Sequence, residues 1–211
     1  MTDDENKLVL GIDEAGRGSV IGPLVIGGVL MPKKKIRFLK RIGVKDSKKL
    51  THKKRSVLSR KIKKITQFQT VQITAQEIDQ QRQDGINLNQ IETIGMESII
   101  TQMNPDICYI DCIDVNENRF HDKIQEKNPN IEIITEHKAD DTYKIVSAAS
   151  IIAKVERDKQ IAIIKNEYGP VGSGYPSDRK TIDYLKTIEN GEYPPIVRKT
   201  WNTIKNLEKN E

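Results

Sequence analysis

Cysteine is scarce: Cys108 and Cys112 are the only two in 211 residues. Two thiols cannot build a disulfide scaffold, and neither joins a Cys/His pattern with zinc spacing. At a period of two they share a strand face with Ile110, so they read as buried free thiols in a reducing interior. The three histidines, His52, His121 and His137, have no common ligand spacing and read as surface residues. No glycine-rich Walker-type phosphate loop occurs. Long apolar runs are missing too. The longest, Val20 to Met31, is too short to span a bilayer and contains Gly and Pro. The N-terminus, Met1-Thr2-Asp3-Asp4-Glu5, is acidic where a secretory signal would be basic. Internal repeats and low-complexity segments are lacking. A cytoplasmic protein with no membrane partner is expected.

What is present is a polar-surfaced chain with 36% hydrophobic and 31% charged residues. Its length suits one domain with a small appendage and a sizeable core. The net charge of +5 is unevenly spread. Lys33 to Lys64 holds 16 Lys and Arg against one acid, Asp46, while the remainder holds 19 basic and 29 acidic residues. Such a segment is either a solvated helix face or a contact for a phosphate backbone.

Periodicity divides the chain into strands and helices. Lys7-Leu8-Val9-Leu10 reads as a strand, with Leu8, Leu10 and Ile12 on one face and Val9, Gly11 and Asp13 on the other. Val20 to Met31 reads as a second strand, covered on both faces and hairpin-paired with the first. Thr51 is placed to cap a helix reaching about Ile65, with Val57, Leu58, Ile62 and Ile65 on one side. Gln69 to Gln76 alternates as a third strand. Asn87 or Asn89 caps the next helix, whose stripe is Ile91, Ile94, Ile99, Ile100 and Met103. Asp106 to Ile113 and Ile131 to Thr135 are the fourth and fifth strands. A long helix runs from Tyr143 to about Glu167, with a small apolar first half at Val146 to Ala153. Asp178 to Glu189 and Ile196 to Glu208 read as helices joined by a stiff Gly191-Glu192-Tyr193-Pro194-Pro195 connector. The pattern predicts an α/β fold: a mixed five-stranded sheet flanked by helices, with the last forty or so residues forming a small helical lobe.

Carboxylates carry the chemical signal. Asp13 and Glu14 follow the first strand, in Gly11-Ile12-Asp13-Glu14-Ala15-Gly16-Arg17-Gly18. Asp111 interrupts an otherwise apolar strand, where a charge is costly unless compensated. Asp140 follows the fifth strand in Lys138-Ala139-Asp140-Asp141. If the strand ends converge, these acids repel one another and resist ionisation. Two divalent cations would offset about four negative charges. Oxygen ligands suit Mg²⁺ or Mn²⁺. Two such ions about 4 Å apart activate a water and stabilise the leaving oxygen in phosphodiester cleavage.

These residues resemble a known family. Asp13-Glu14-Ala15-Gly16-Arg17-Gly18 with Ile21-Gly22-Pro23-Leu24-Val25 is similar to the signature of ribonuclease HII, the type 2 ribonuclease H. The likeness continues through Asp46-Ser47-Lys48-Lys49-Leu50, Tyr109-Ile110-Asp111, Lys138-Ala139-Asp140, and Ser147 to Val155 with Arg157-Asp158. Gly172-Ser173-Gly174-Tyr175-Pro176-Ser177-Asp178 completes it and resembles the archaeal version. Six blocks in the family's order, over nearly the whole chain, make the resemblance specific. Ser19 stands where the family usually has proline, a change expected to alter only loop stiffness.

The resemblance implies a ribonuclease H-like catalytic domain, residues 1–170, and a C-terminal helical lobe, 171–211, packed on it. It implies hydrolysis of RNA in RNA–DNA hybrids and incision 5′ of ribonucleotides embedded in duplex DNA, by two-metal catalysis leaving 3′-hydroxyl and 5′-phosphate ends. Asp13, Glu14, Asp111 and Asp140 match the family's metal-binding acids. Asp140 rather than Asp141 is the match, because it directly follows Lys138-Ala139; Asp141 then reads as a solvated neighbour. Gly16, Arg17 and Gly18 match the reader of the 2′-hydroxyl that separates RNA from DNA. Tyr175 matches the tyrosine packed on the sugar at the DNA side of the junction. Lys48 and Lys49 are candidate phosphate ligands. For Lys154 and Arg157 a structural or weak backbone-contact role is expected. A monomer is expected. The type HIII ribonuclease is the nearest rival, but that family carries a long N-terminal extension and here the acid pair starts at position 13. A non-catalytic nucleic-acid-binding module using Lys33 to Lys64 is the rival from another class; it would need no acids on three strands.

Overall fold

The computed structural model describes residues 3–44, 50–188 and 191–209. Five strands form one sheet: β1 (Leu8–Ala15), β2 (Leu24–Pro32), β3 (Gln67–Ile73), β4 (Ile107–Asp111) and β5 (Glu132–Glu136). Their order is β3-β2-β1-β4-β5. β1–β2 and β2–β3 are antiparallel; β1–β4 and β4–β5 are parallel. The mixed sheet expected from the sequence is therefore present. The burial of each strand follows from its place. Leu24 to Met31 of β2 is buried throughout, as suits an inner strand, whereas β3, Gln-Phe-Gln-Thr-Val-Gln-Ile, is polar and largely solvated at the edge.

Helices cover both faces. One face packs Leu10, Ile12, Cys108 and Ile110 against α4 (Leu88–Met103) and α5 (Glu117–Lys127). The other packs Val9, Val29 and Ile107 against α1 (Ile36–Arg41), α2 (His52–Ile65) and the 25-residue α7 (Lys144–Tyr168). The alternation read along the first strand thus assigns its faces correctly. Every residue of α7 from Ile145 to Ala153 is buried. Small side chains let this helix lie close to the sheet, and Gly11 completes the fit. A Cβ at Gly11 would stand 2.4 Å from the carbonyl carbon of Ile145.

A third cluster gathers Val20, Ile21, Val171, Leu185, Tyr193, Val197 and Ile204. It seats α8 (Arg179–Lys186) and α9 (Asn202–Glu208) against the end of α7. Here the sequence reading needs correction. Val20 and Ile21 are not in β2; Ile21 bridges Val197 instead, and both residues belong to the third cluster. A continuous apolar run does not reveal that it serves two cores. Both terminal helices are shorter than expected; α9 starts late because Ile196, Val197 and Arg198 pair with Val20 to Gly22 before it begins.

Two helices carry too little apolar periodicity to be found that way. α3 (Ala75–Gln83) buries only Ala75, Ile78 and Asp79, and α5 only Phe120 and Ile124. Thr74 ends the third strand and opens α3 through a capping box with Glu77. That Thr-x-x-Glu spacing was the available signal. Thr51 and Asn87 cap α2 and α4 as expected. Val57, Ile65 and Ile94 are exposed rather than part of their helices' buried stripes.

Gly11→Ala is expected to destabilise the fold by about 1–3 kcal/mol, since two backbones must separate to admit a methyl group. Thermal unfolding checks it; an unchanged Tm would mean that α7 is free to ride up from β1.

Candidate active site

The parallel register decides where the acids meet. Ile12 of β1 pairs with Ile110 of β4, so the next residues, Asp13 and Asp111, lie side by side at one end of the sheet, with Asp13 and Glu14 still within β1 rather than following it. β5 is parallel to β4, with Asp111 opposite Glu136, and it delivers α6 (Ala139–Thr142) to the same end. Asp13, Glu14 and Asp111 each offer an oxygen within 4.8 Å of the others. Asp140 is buried next to this group but is not one of its three members. The Ala139 amide donates to Asp111 Oδ1 at 2.7 Å, which ties the start of α6 to the cluster. Ser147 Oγ donates to the Asp140 carbonyl and holds that turn against α7. Asp141 is exposed, in keeping with a solvated neighbour.

The electrostatics are those of crowded acids, Asp13 buried and Glu14 and Asp111 half-buried. Burial first, then the charges of Glu14 and Asp111, pushes Asp13 well above the ordinary carboxylate range. Ser150 and Lys154 of α7 oppose this, through a hydrogen bond and a positive charge respectively. Burial and Asp111 likewise raise Glu14, with Arg17 opposing. Glu14 Oε2 is buried and has no hydrogen-bond partner among the described residues. An orphaned carboxylate oxygen beside two other acids is the donor set a hard divalent cation takes. The residues present therefore fit Mg²⁺ or Mn²⁺.

The loop after β1 is held from below. Gly16 has φ +87°, a conformation that L side chains rarely adopt, and a Cβ there would meet Arg157 Nε at 2.3 Å. Ser19 closes the turn, its amide and hydroxyl both donating to the Gly16 carbonyl, at 3.3 and 2.8 Å. A proline at position 19 could make neither bond, so the serine does more than change stiffness. The Arg17 guanidinium turns away to α4, pairing with the buried Glu92 and donating to Asn89 Oδ1 at 2.7 Å. This leaves the backbone of Gly16, Arg17 and Gly18 as what the loop presents.

Tyr175 comes to the same place. Val20 and Ile21 donate to the Gly174 carbonyl at 2.8 and 3.1 Å. The Arg157 guanidinium lies 4.6 Å from the Tyr175 ring centre and donates to the Ser173 and Ile21 carbonyls. These bonds give Arg157 a part in holding the loop, one of the two roles expected for it. Lys154 donates to Ser150 Oγ. Lys48 and Lys49 lie outside the described residues. The sequence reading missed Glu92, Asn89 and Arg198. Glu92 is an acid at a buried position of a helix with apolar neighbours, which was a usable signal. Arg198 follows a Pro-Pro-Ile-Val stretch that gives no hint of its burial.

The comparisons with known proteins agree with this arrangement. Residues 10–204 match the family model for ribonuclease HII. The chain is 72% identical over 207 residues to ribonuclease HII of Methanosphaera stadtmanae, covering 98% of this chain and 97% of that one. The structure of ribonuclease H2 from Pyrococcus horikoshii superimposes with a TM-score of 0.86 at 43% identity, covering 96% and 98% of the two chains. The structure of the PCNA:RNase HII complex from Archaeoglobus fulgidus does so with a TM-score of 0.87 at 40% identity, covering 92% and 95%.

Asp13→Asn relieves repulsion but removes a charged ligand. The metal-free variant is expected to melt about 1–3 °C higher than the parent, as happens when a functional site is traded for stability. Saturating Mn²⁺ should raise the Tm of the parent and leave that of the variant nearly unchanged. An equal Mn²⁺ shift in both would remove Asp13 from the cation site.

Proposed function

The chain belongs to the ribonuclease HII family, and from that premise we propose that it hydrolyses the RNA strand of RNA–DNA hybrids and incises duplex DNA on the 5′ side of embedded ribonucleotides. The observation that carries this reading is the meeting of Asp13, Glu14 and Asp111 at one end of the sheet, with a buried, unpartnered Glu14 oxygen. In this reading Asp13, Glu14, Asp111 and Asp140 hold two divalent cations, Mg²⁺ or Mn²⁺. When bound, such ions supply Lewis acidity to the attacking water and to the departing oxygen.

The chain's own residues do the rest. The water oxygen bonds to phosphorus and releases a proton to solvent, the P–O3′ bond breaks, and the departing oxygen takes up a proton from solvent, leaving 3′-hydroxyl and 5′-phosphate ends. No side chain forms a covalent intermediate. The Gly16, Arg17 and Gly18 backbone begins two positions beyond Glu14 and reads the 2′-hydroxyl. Tyr175, steadied by Arg157, lies against the neighbouring deoxyribose. Lys48 and Lys49, with the rest of the basic Lys33–Lys64 segment, meet the phosphate backbone. Residues 1–170 form the catalytic domain and 171–211 the lobe that braces its sugar-reading side. Among the described residues the large exposed apolar side chains are Val57, Ile65, Phe68, Ile94, Val115 and Ile163, drawn from α2, β3, α4, α7 and the loop after β4, and with that distribution we read the protein as a monomer. Among the described residues no helix is long and apolar enough to cross a membrane. With two free buried thiols, this supports a cytoplasmic site of action.

A duplex with one embedded ribonucleotide, incubated with Mg²⁺, is the test. The expected product is a nick 5′ of the ribonucleotide, with an all-DNA duplex left intact. Asp13→Asn should lose cleavage by 100-fold or more, in the way single charged groups at reaction centres do, while duplex affinity stays within about threefold, since few backbone contacts change. Cutting of both duplexes alike would mean a general nuclease, and metal-independent binding without cutting would mean a binding module.

A further inference from the structure

Arg198 is fully buried and, among the described residues, forms no ion pair. Burial pulls its guanidinium down to about 9, so it remains a cation at neutral pH. Its donors go to backbone instead. Nη1 donates to the Arg17 carbonyl at 2.8 Å and Nη2 to the Gly16 carbonyl at 2.8 Å. Nε and Nη2 both reach the Gly22 carbonyl, at 3.1 and 3.0 Å. The Trp201 ring, 4.8 Å away, covers the guanidinium. The Arg198 amide in turn donates to the Val20 carbonyl at 2.9 Å. One side chain from the C-terminal lobe thus grips three carbonyls across the loop that follows the acids.

Peptide geometry gives this grip a direction. In a trans peptide the C=O and the next residue's N–H point opposite ways. The carbonyls of Gly16 and Arg17 face inward to Arg198, so the amides of Arg17 and Gly18 face outward. Neither amide donates to a protein acceptor among the described residues. Gly18 is exposed, with open space where a Cβ would stand. Hydrogen bonds to a cation on one side of a peptide also strengthen the donor on its other side.

We propose that Arg198 is a positioning and specificity-determining residue, which sets the Arg17 and Gly18 amides as a preformed donor pair for the 2′-oxygen of the ribonucleotide. This rests on the nuclease reading above and assigns its sugar discrimination to a cation in the lobe. Lysine cannot replace Arg198. An ammonium has no planar fork with which to meet three separate carbonyls at once.

Binding in the Asp13→Asn background separates recognition from cleavage. The measured quantity is the affinity for a duplex with one embedded ribonucleotide divided by that for the same all-DNA duplex. With Arg198 intact this ratio is expected to be about tenfold, the worth of one to two hydrogen bonds. With Arg198→Lys added it should fall to near one, while affinity for all-DNA duplex is unchanged. A merely architectural role would weaken both duplexes together, or lower Tm, with the ratio preserved; that result overturns the proposal. A second measurement leaves Arg198 in place and does not depend on the variant folding. The Arg17 and Gly18 amide proton resonances should move downfield on adding the ribonucleotide duplex and stay put with all-DNA duplex. Unmoved resonances overturn the proposal as well. Failure of the wild-type protein to nick the ribonucleotide duplex would sink the nuclease reading. Nicking together with a ratio that survives Arg198→Lys would sink only the role of Arg198.

Discussion

Mutual repulsion among Asp13, Glu14 and Asp111 is the constraint to which the rest of the molecule answers. Three carboxylates with oxygens within 4.8 Å of one another repel, and the repulsion is relieved only by taking up a proton or gaining a compensating charge. The fold nevertheless enforces their meeting. Antiparallel strands would have sent Asp111 to the opposite end of the sheet from Asp13. The parallel pairing of β1 with β4 fixes both at one end, and the parallel β5 brings Asp140 to the same edge. The fold thus holds together acids that repel one another.

α7 packs tightly against their meeting place. It lies so close to β1 that the backbone at Ile145 leaves no room for a Cβ on Gly11. This proximity lets Ser150 and Lys154 act on Asp13 from one side. Two turns further on, the same helix carries Arg157 beneath Gly16 and against Tyr175. One continuous helix therefore links the acids to the residues assigned to read the sugar. A shift of α7 would disturb both together.

The third apolar cluster joins Val20 and Ile21 to residues of α8, α9 and the end of α7, yet the contacts it brings to the loop after β1 are polar. Arg198 and Arg157 are buried cations that hold carbonyls rather than carboxylates. Charge-assisted bonds to backbone are directional and strong in a dry setting. They fix a loop's orientation in a way that apolar packing alone does not. Glu92 does the complementary work on the other side, drawing the Arg17 side chain away so that the loop's backbone faces outward.

Much of this protein is legible in one dimension. Local periodicity marks all five strands and the long helix, because the alternation of side chains is a property of neighbouring residues. Thr51 and Asn87 announce helix starts for the same reason. The acid motifs and the glycine-arginine-glycine loop can be read directly, and so can the buried nature of Cys108. Other features depend on residues far apart in the chain. Val20 and Ile21 look like strand until Val197 claims them, and α3 and α5 have too few apolar positions to show a stripe. Strand register, which brings Asp111 beside Asp13, is set by pairing across about a hundred residues. The burial of Arg198 beneath the Gly16 and Arg17 carbonyls is set across about 180. The chain by itself determined which chemistry was on offer; only packing at long range decided which groups stand together and which way the amides point.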